Sequence, residues 1–156
     1  MAVRAEIVPA TLAHAEAMAP NMRQADRDEI WAASMSRPID SLRNGVMSSA
    51  HAWAGLADGE VACLFGVAPQ SRLTGSGFAW MLATPLIERH QVTFLRHCRP
   101  AINDMSRGFR YLHNYVDARN RKAIRWLRWL GFTIHEAEPH GALGLPFHHF
   151  EMRPHV

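Results

Sequence analysis

Asn114-Tyr-Val-Asp-Ala-Arg-Asn120-Arg-Lys-Ala-Ile-Arg-Trp-Leu-Arg-Trp-Leu-Gly131-Phe132 decides how this chain reads. Asn114 to Val116 is strand-like, and Asn120 stands where a helix begins. A side-chain oxygen at that position can accept an otherwise unpaired N–H of the first turn. Ala123, Ile124, Leu127 and Leu130 follow at helical spacing and form one apolar stripe. Gly131 suits the left-handed position that ends helices, and Phe132 opens the next strand. The segment predicts strand, helix, strand, and its spacing alone says no more.

Upstream, Val3 to Val8 alternates as an opening strand that Pro9 ends, and Thr11 caps a helix through Leu12, Ala15 and Met18. Ala25 to Ala33 is helical, with Ile30 and Trp31 expected toward the core and Asp26, Arg27, Asp28 and Glu29 largely outward. Pro38 starts a further helix through Leu42 and Val46. His51–Ala57 and Glu60–Ala68 form a hairpin on the Asp58-Gly59 turn. Ser71 to Gly77 reads as a loop and Phe78 to Thr84 as a third strand. A long helical region follows from Pro85, burying Leu86, His90, Phe94, Leu95, Ile102 and Met105, with Pro100 expected to kink or split it. Gly108 closes it and Tyr111 to Val116 is a strand. Beyond Phe132, Thr133 to His135 is a strand, Pro139 to Pro146 a loop and Phe147 to Arg153 the last strand.

The chain has 156 residues, 48% hydrophobic and 20% charged, which fits one domain spanning residues 1–156 that buries about 70% of its unfolded surface. No apolar run approaches the roughly 18 residues of a membrane span, and the first residues lack a secretion signal. Cys63 and Cys98 have no ligand-like spacing and read as free thiols in a reducing cytoplasm. The net charge of +3 and pI near 9.4 admit an anionic partner, but no nucleic-acid motif accompanies them.

Asn120, Ala123, Ile124, Gly131 and Phe132 are spaced as in the last conserved unit of the GNAT (Gcn5-related N-acetyltransferase-like) superfamily, which the segment resembles. The order of elements over nearly the whole chain agrees. The resemblance implies an α/β fold: a mixed, mostly antiparallel sheet with helices on both faces. It also implies an acetyl-CoA or other acyl-CoA cofactor held along Met81, Leu82, Ala83 and Thr84, by Arg89, and by Asn120 against the pantetheine arm.

Three departures stand against that pattern. Where the family places a Gly-rich turn to bring backbone N–H groups against a pyrophosphate, this chain has Ala83-Thr84-Pro85-Leu86-Ile87-Glu88-Arg89-His90. Pro85 removes a donor and Glu88 adds negative charge, which Arg89 and His90 offset in part. Leu127 stands where many members carry a tyrosine acid. No carboxylate lies within Phe78 to Thr84 to act as base; Tyr115 and His113, with Asp117 nearby, remain as proton-moving candidates, although His113 also reads as an ordinary satisfied histidine.

A narrower pattern resembles a GNAT-like family of tailed phages that includes the small internal virion core protein of short-tailed phages. It comprises Trp80-Met-Leu-Ala-Thr84, Phe94 with Arg96, Leu112-His-Asn114-Tyr-Val116, Asn120, Ile124 to Gly131, and Phe147…Phe150-Glu-Met152. The phosphate loop is not part of that pattern. Two functions follow as expectations: a weakly catalytic or non-catalytic phage or prophage protein making contacts with virion proteins, cytoplasmic in the host or virion-associated; or a divergent acetyl-CoA-dependent N-acetyltransferase acting on an amine.

Arg121, Arg125 and Arg128 share one helix face with Lys122 beside them, a solvated stripe or an anion-binding one. Trp126 and Trp129 are expected to pack against neighbouring elements. His140, His148, His149 and His155 suggest metal, but His148 and His149 point to opposite faces of a strand, so no metal ligand is expected.

Overall fold

The structure is a computed structural model that describes residues 2–154, so His155 lies outside it. Strand β1 (Ala5–Pro9) leads into α1 (Leu12–Met18), a single 3-10 turn (Ala19–Asn21), α2 (Gln24–Ser34) and α3 (Pro38–Ser48). A meander follows of β2 (His51–Ala57), β3 (Glu60–Ser71) and β4 (Ser76–Ala83). The chain continues through α4 (Pro85–Arg89), α5 (Gln91–Ser106), β5 (Tyr111–Asp117), α6 (Arg121–Trp129), β6 (Thr133–His140) and β7 (Leu145–Met152). The seven strands form one sheet in the order β1-β2-β3-β4-β5-β7-β6, with only β4 and β5 parallel. Helices cover both faces. Met18, Ile30 and Leu42 pack against Leu64 and Leu82 on one side; Phe94, Ile102, Ile124 and Trp126 pack against Phe65 and Phe150 on the other.

The β4–β5 pairing positions the site. It covers only Ser76–Phe78 against Tyr111–His113, after which the strands diverge. Asn114 spans the start of the opening, its side-chain amide donating to the Ala79 carbonyl at 3.0 Å in place of a backbone donor. Divergence leaves backbone N–H groups on both strands that must find other acceptors. Helix α2 supplies two. Asp26 Oδ2 accepts the Ala83 N–H at 3.0 Å, and Glu29 Oε1 accepts the Asp117 N–H at 2.8 Å.

Several expectations are corrected. Asp26 is buried and Glu29 half-buried rather than outward, because the splayed strands need their oxygens. Trp31 is half exposed rather than in the core: Asp26 and Ile30, four residues apart, define the buried face and Trp31 lies off it. Pro100 lies inside α5 without splitting it; the break falls at His90, whose backbone (φ −127°, ψ 31°) leaves the helical region. The 71–77 loop shrinks to a turn between β3 and β4, and the 139–146 loop to a tight connection between β6 and β7. Asn120 occupies the helix N-cap position without capping; its amide is used elsewhere.

Other expectations stand as read. Thr11 and His14 form a capping box on α1. Gly131 adopts φ +106° and Phe132 is buried. Arg121, Arg125 and Arg128 are solvated. Trp126 is buried, whereas Trp129 is 41% exposed and covered by Arg99, whose guanidinium lies 4.1 Å from the ring centroid. Cys63 and Cys98 are free and buried together, and hydrogen bonding between them with burial pushes the Cys63 thiol up.

The β6–β7 connection docks on α2. The N–H groups of Ala142 and Leu143 donate to the carbonyls of Ala33 and Ala32, satisfying acceptors at the helix end. Gly141 makes this approach with φ +81°, and a Cβ there would lie 2.8 Å from Ala33 Cα.

Candidate functional site

The divergence of β4 and β5 opens a cleft of about 120 Å³ floored by α6 and flanked by α2. Antiparallel pairing with β3 turns the N–H and C=O of Ala79, Met81 and Ala83 toward it. Ala83 is taken: its N–H by Asp26, its carbonyl by the Arg23 N–H at 2.9 Å. The Ala79 carbonyl is taken by Asn114. Met81, between them, has no described backbone partner on the cleft side, and so presents a free N–H to whatever enters.

The Ala83 end is closed by a buried polar cluster. Arg23, Asp26 and Asn120 are 4%, 2% and 1% exposed. Asn120 donates to Asp26 Oδ1 at 2.9 Å and accepts from the two terminal guanidinium nitrogens of Arg23, each at 3.3 Å. Arg23 also pairs with Asp26 at 3.0 Å and Glu88 at 2.7 Å, and stacks over Trp126. Lys122 takes the other oxygen of Glu88. The negative charge of Glu88 is thus compensated by Arg23 and Lys122, which hold its carboxyl below the usual range against the opposing desolvation.

Glu29 is the residue that sequence reasoning missed. Its Oε1 holds the Asp117 and Asn120 N–H groups. Its Oε2 makes no hydrogen bond among the described residues. Since no buried side-chain polar atom there lacks a partner, that oxygen is accessible, and Glu29 lines both the cleft and the adjoining depression beside Tyr115 and His140. Burial, then the negative charge of Asp26, push the Glu29 carboxyl from 4.5 up to about 8. A carboxylate with one oxygen fixed and the other free, ionising near neutrality, has the form of a general base. One signal was available: the Asp26/Ile30 spacing puts that aspartate on the apolar side of α2, and Glu29 follows it by three residues, close to the same face.

Of the expected site residues, the cleft gathers Met81, Leu82, Ala83 and Tyr115. Tyr115 stacks on His140, ring centroids 3.6 Å apart, at its rim. Asn120 lies beneath the closed end. Thr84 and Arg89 line a separate depression at the start of α4, where the Thr84 hydroxyl accepts the Leu86 N–H. His113 is not brought into the cleft; it stacks on Tyr111 and bonds His149. Asp117 is buried and chelates Arg119. Leu127 lines the cleft where an acid would be needed.

No protein-family model and no curated protein matches the sequence. Solved structures do match its fold. An aminoglycoside N(6')-acetyltransferase from Legionella pneumophila superposes with TM-score 0.72 at 10% identity, covering 98% of this chain and 94% of that one. Spermidine N-acetyltransferase from Vibrio cholerae, in complex with CoA and spermine, gives 0.68 at 11%, covering 96% and 95%. A GNAT-family acetyltransferase from Streptococcus pneumoniae gives 0.65 at 14%, covering 96% and 99%. The chain therefore has the GNAT acetyltransferase fold. At these identities the likeness is one of fold. Among the described residues no helix is long and apolar enough to cross a membrane.

Proposed function

We propose that this chain is a divergent acyl-CoA-dependent N-acyltransferase, acetyl-CoA being the simplest donor, with Glu29 as general base. The observation that carries the reading is the open Glu29 oxygen, with a carboxyl raised to about 8, in the same cleft as the free Met81 N–H. The GNAT fold, shared with CoA-bound acetyltransferases, supports it.

A bound acyl-CoA would supply the acyl group as a thioester. The Met81 N–H is turned to polarise an acyl oxygen, the role of a preformed donor where charge develops. Glu29 takes the proton that the amine loses as the C–N bond forms and the C–S bond breaks. Leu127 offers the departing sulfur no proton, so water must supply it. Tyr115 and His140, stacked at the opposite rim, form an aromatic wall for the amine's carbon chain. Arg89, exposed at the end of α4, is the remaining group for the cofactor's phosphates, since the Thr84 hydroxyl is buried on the Ala62 carbonyl and the Leu86 N–H.

A second reading has its own observation. The closed Ala83 edge, filled by Arg23 and Asp26, narrows the route of the pantetheine arm. With the phage-family pattern in the sequence, this favours a GNAT scaffold acting through contacts with virion proteins. Calorimetric titration with acetyl-CoA separates the two. Micromolar binding supports the enzyme; no binding at millimolar acetyl-CoA overturns it and leaves the scaffold.

A further inference from the structure

Pairing of β5, β7 and β6 gathers a second cluster on the sheet face. His135, His149 and Glu151 each offer a ligand atom, all within 4.8 Å of one another. His135 Nε2 lies 3.5 Å from Glu151 Oε1. Two ligands on a tetrahedral zinc ion, with bonds of about 2.0–2.1 Å, stand roughly 3.4 Å apart, so this pair is already at ligand spacing. The His135 and His149 rings stack at 18°. Thr133 pairs with Glu151 and Ile134 with Phe150, so alternation along β6 puts His135 on the face that carries His149 and Glu151, just before the register shifts ahead of Ala137. His148 points to the other face, as expected; the partners of His149 come from β6 and from two residues further along β7.

The surrounding bonds prepare the ligand atoms. The Tyr111 hydroxyl donates to Glu151 Oε2 at 2.6 Å, leaving Oε1 to face His135. Gln70 Oε1 accepts from His113 Nε2, which leaves His113 Nδ1 as an acceptor. His149 Nε2 donates to that Nδ1 at 3.0 Å, so His149 Nδ1 carries a free lone pair. Outer bonds of this kind fix the tautomer and orientation of metal-binding histidines.

We propose that His135, His149 and Glu151 form a binding site for a divalent transition metal, zinc foremost, with a fourth position open to water or a ligand. Two imidazoles and one carboxylate match the borderline softness of zinc rather than the all-oxygen preference of magnesium or calcium. The ion would tie the bulged part of β6 to β7 and stand one ring from Tyr115, which packs against His149 at 5.0 Å. The proposal does not depend on acyl transfer.

The test titrates the full-length chain, stripped by chelator, with zinc chloride at neutral pH in a non-coordinating buffer. One equivalent should bind at micromolar metal, with cobalt giving tetrahedral absorption bands. His135→Ala and His149→Ala should weaken binding by at least about tenfold, whereas His97→Ala, at an exposed position of α5, should leave it unchanged. Should either variant fail to fold, Glu151→Gln, which keeps the shape and the Tyr111 bond, gives the same reading. Binding only at millimolar zinc, or equal binding by the folded variants, would overturn the site.

Discussion

Asp26 Oδ2 accepts the backbone N–H of Ala83 at 3.0 Å, so a helix carboxylate stands where a neighbouring strand's carbonyl would pair. Glu29 does the same for Asp117 on the other diverging strand, at 2.8 Å. One turn of α2 thus satisfies both edges of the opening, and the fold pays for that opening with two sequestered carboxyls. Only Glu29 keeps an oxygen without a hydrogen bond among the described residues.

Asn120→Ala removes the amide that joins Arg23, Asp26 and Glu29. Leaving buried charged groups without their partner should cost about 3 kcal/mol. Urea unfolding should show a midpoint shift at unchanged slope. A loss under about 0.5 kcal/mol, the scale of an ordinary surface change, would mean that the cluster does not bear on stability.

Glu29→Gln should stabilise the protein in mildly alkaline solution. The folded carboxyl titrates near 8 and the unfolded one near 4.5. Between those values the unfolded state has released its proton while the folded state retains it, so wild-type stability falls as pH rises through this window and levels off above it. The glutamine variant lacks that slope, and its oxygen still accepts from Asp117 and Asn120. Melting temperatures measured from pH 5 to about 9 should diverge in favour of the variant; parallel curves would contradict the raised pKa.

Gly141→Ala should destabilise more than Gly144→Ala. Both glycines have positive φ, +81° and +65°, a strain of about 1–3 kcal/mol for other residues. Only at Gly141 would the new methyl also meet the α2 backbone, 2.9 Å from the Ala32 carbonyl oxygen. Denaturation of the two variants side by side checks the difference, and equal losses would show that the tight docking on α2 is not required.

Local signals explain how much of this was legible. The Gly131-Phe132 stop, the Thr11 cap and the Asp58-Gly59 hairpin each depend on residues a few places apart, and each lies where its chemistry puts it. The site did not read this way. Asn120 looks like a cap because its partners Asp26 and Glu29 are more than ninety residues away in sequence. Those two acids look solvated because charged helix residues usually are, and only the splay of β4 from β5 draws them inward. Arg23 belongs to no motif, yet it links α2, α4 and α6. His135 reaches His149 through the β6–β7 pairing, whose register is not written in either strand alone.

The role of Glu29 as base is checked by the pH dependence of acetyl transfer from acetyl-CoA to a primary-amine acceptor, for wild type and Glu29→Gln. kcat/KM should rise with pH to a plateau, with an apparent pKa near 8, the value at which Glu29 ionises. The variant should lose about 10²–10⁴ in rate. A wild-type profile without that ionisation, or equal rates in the two proteins, would contradict that role.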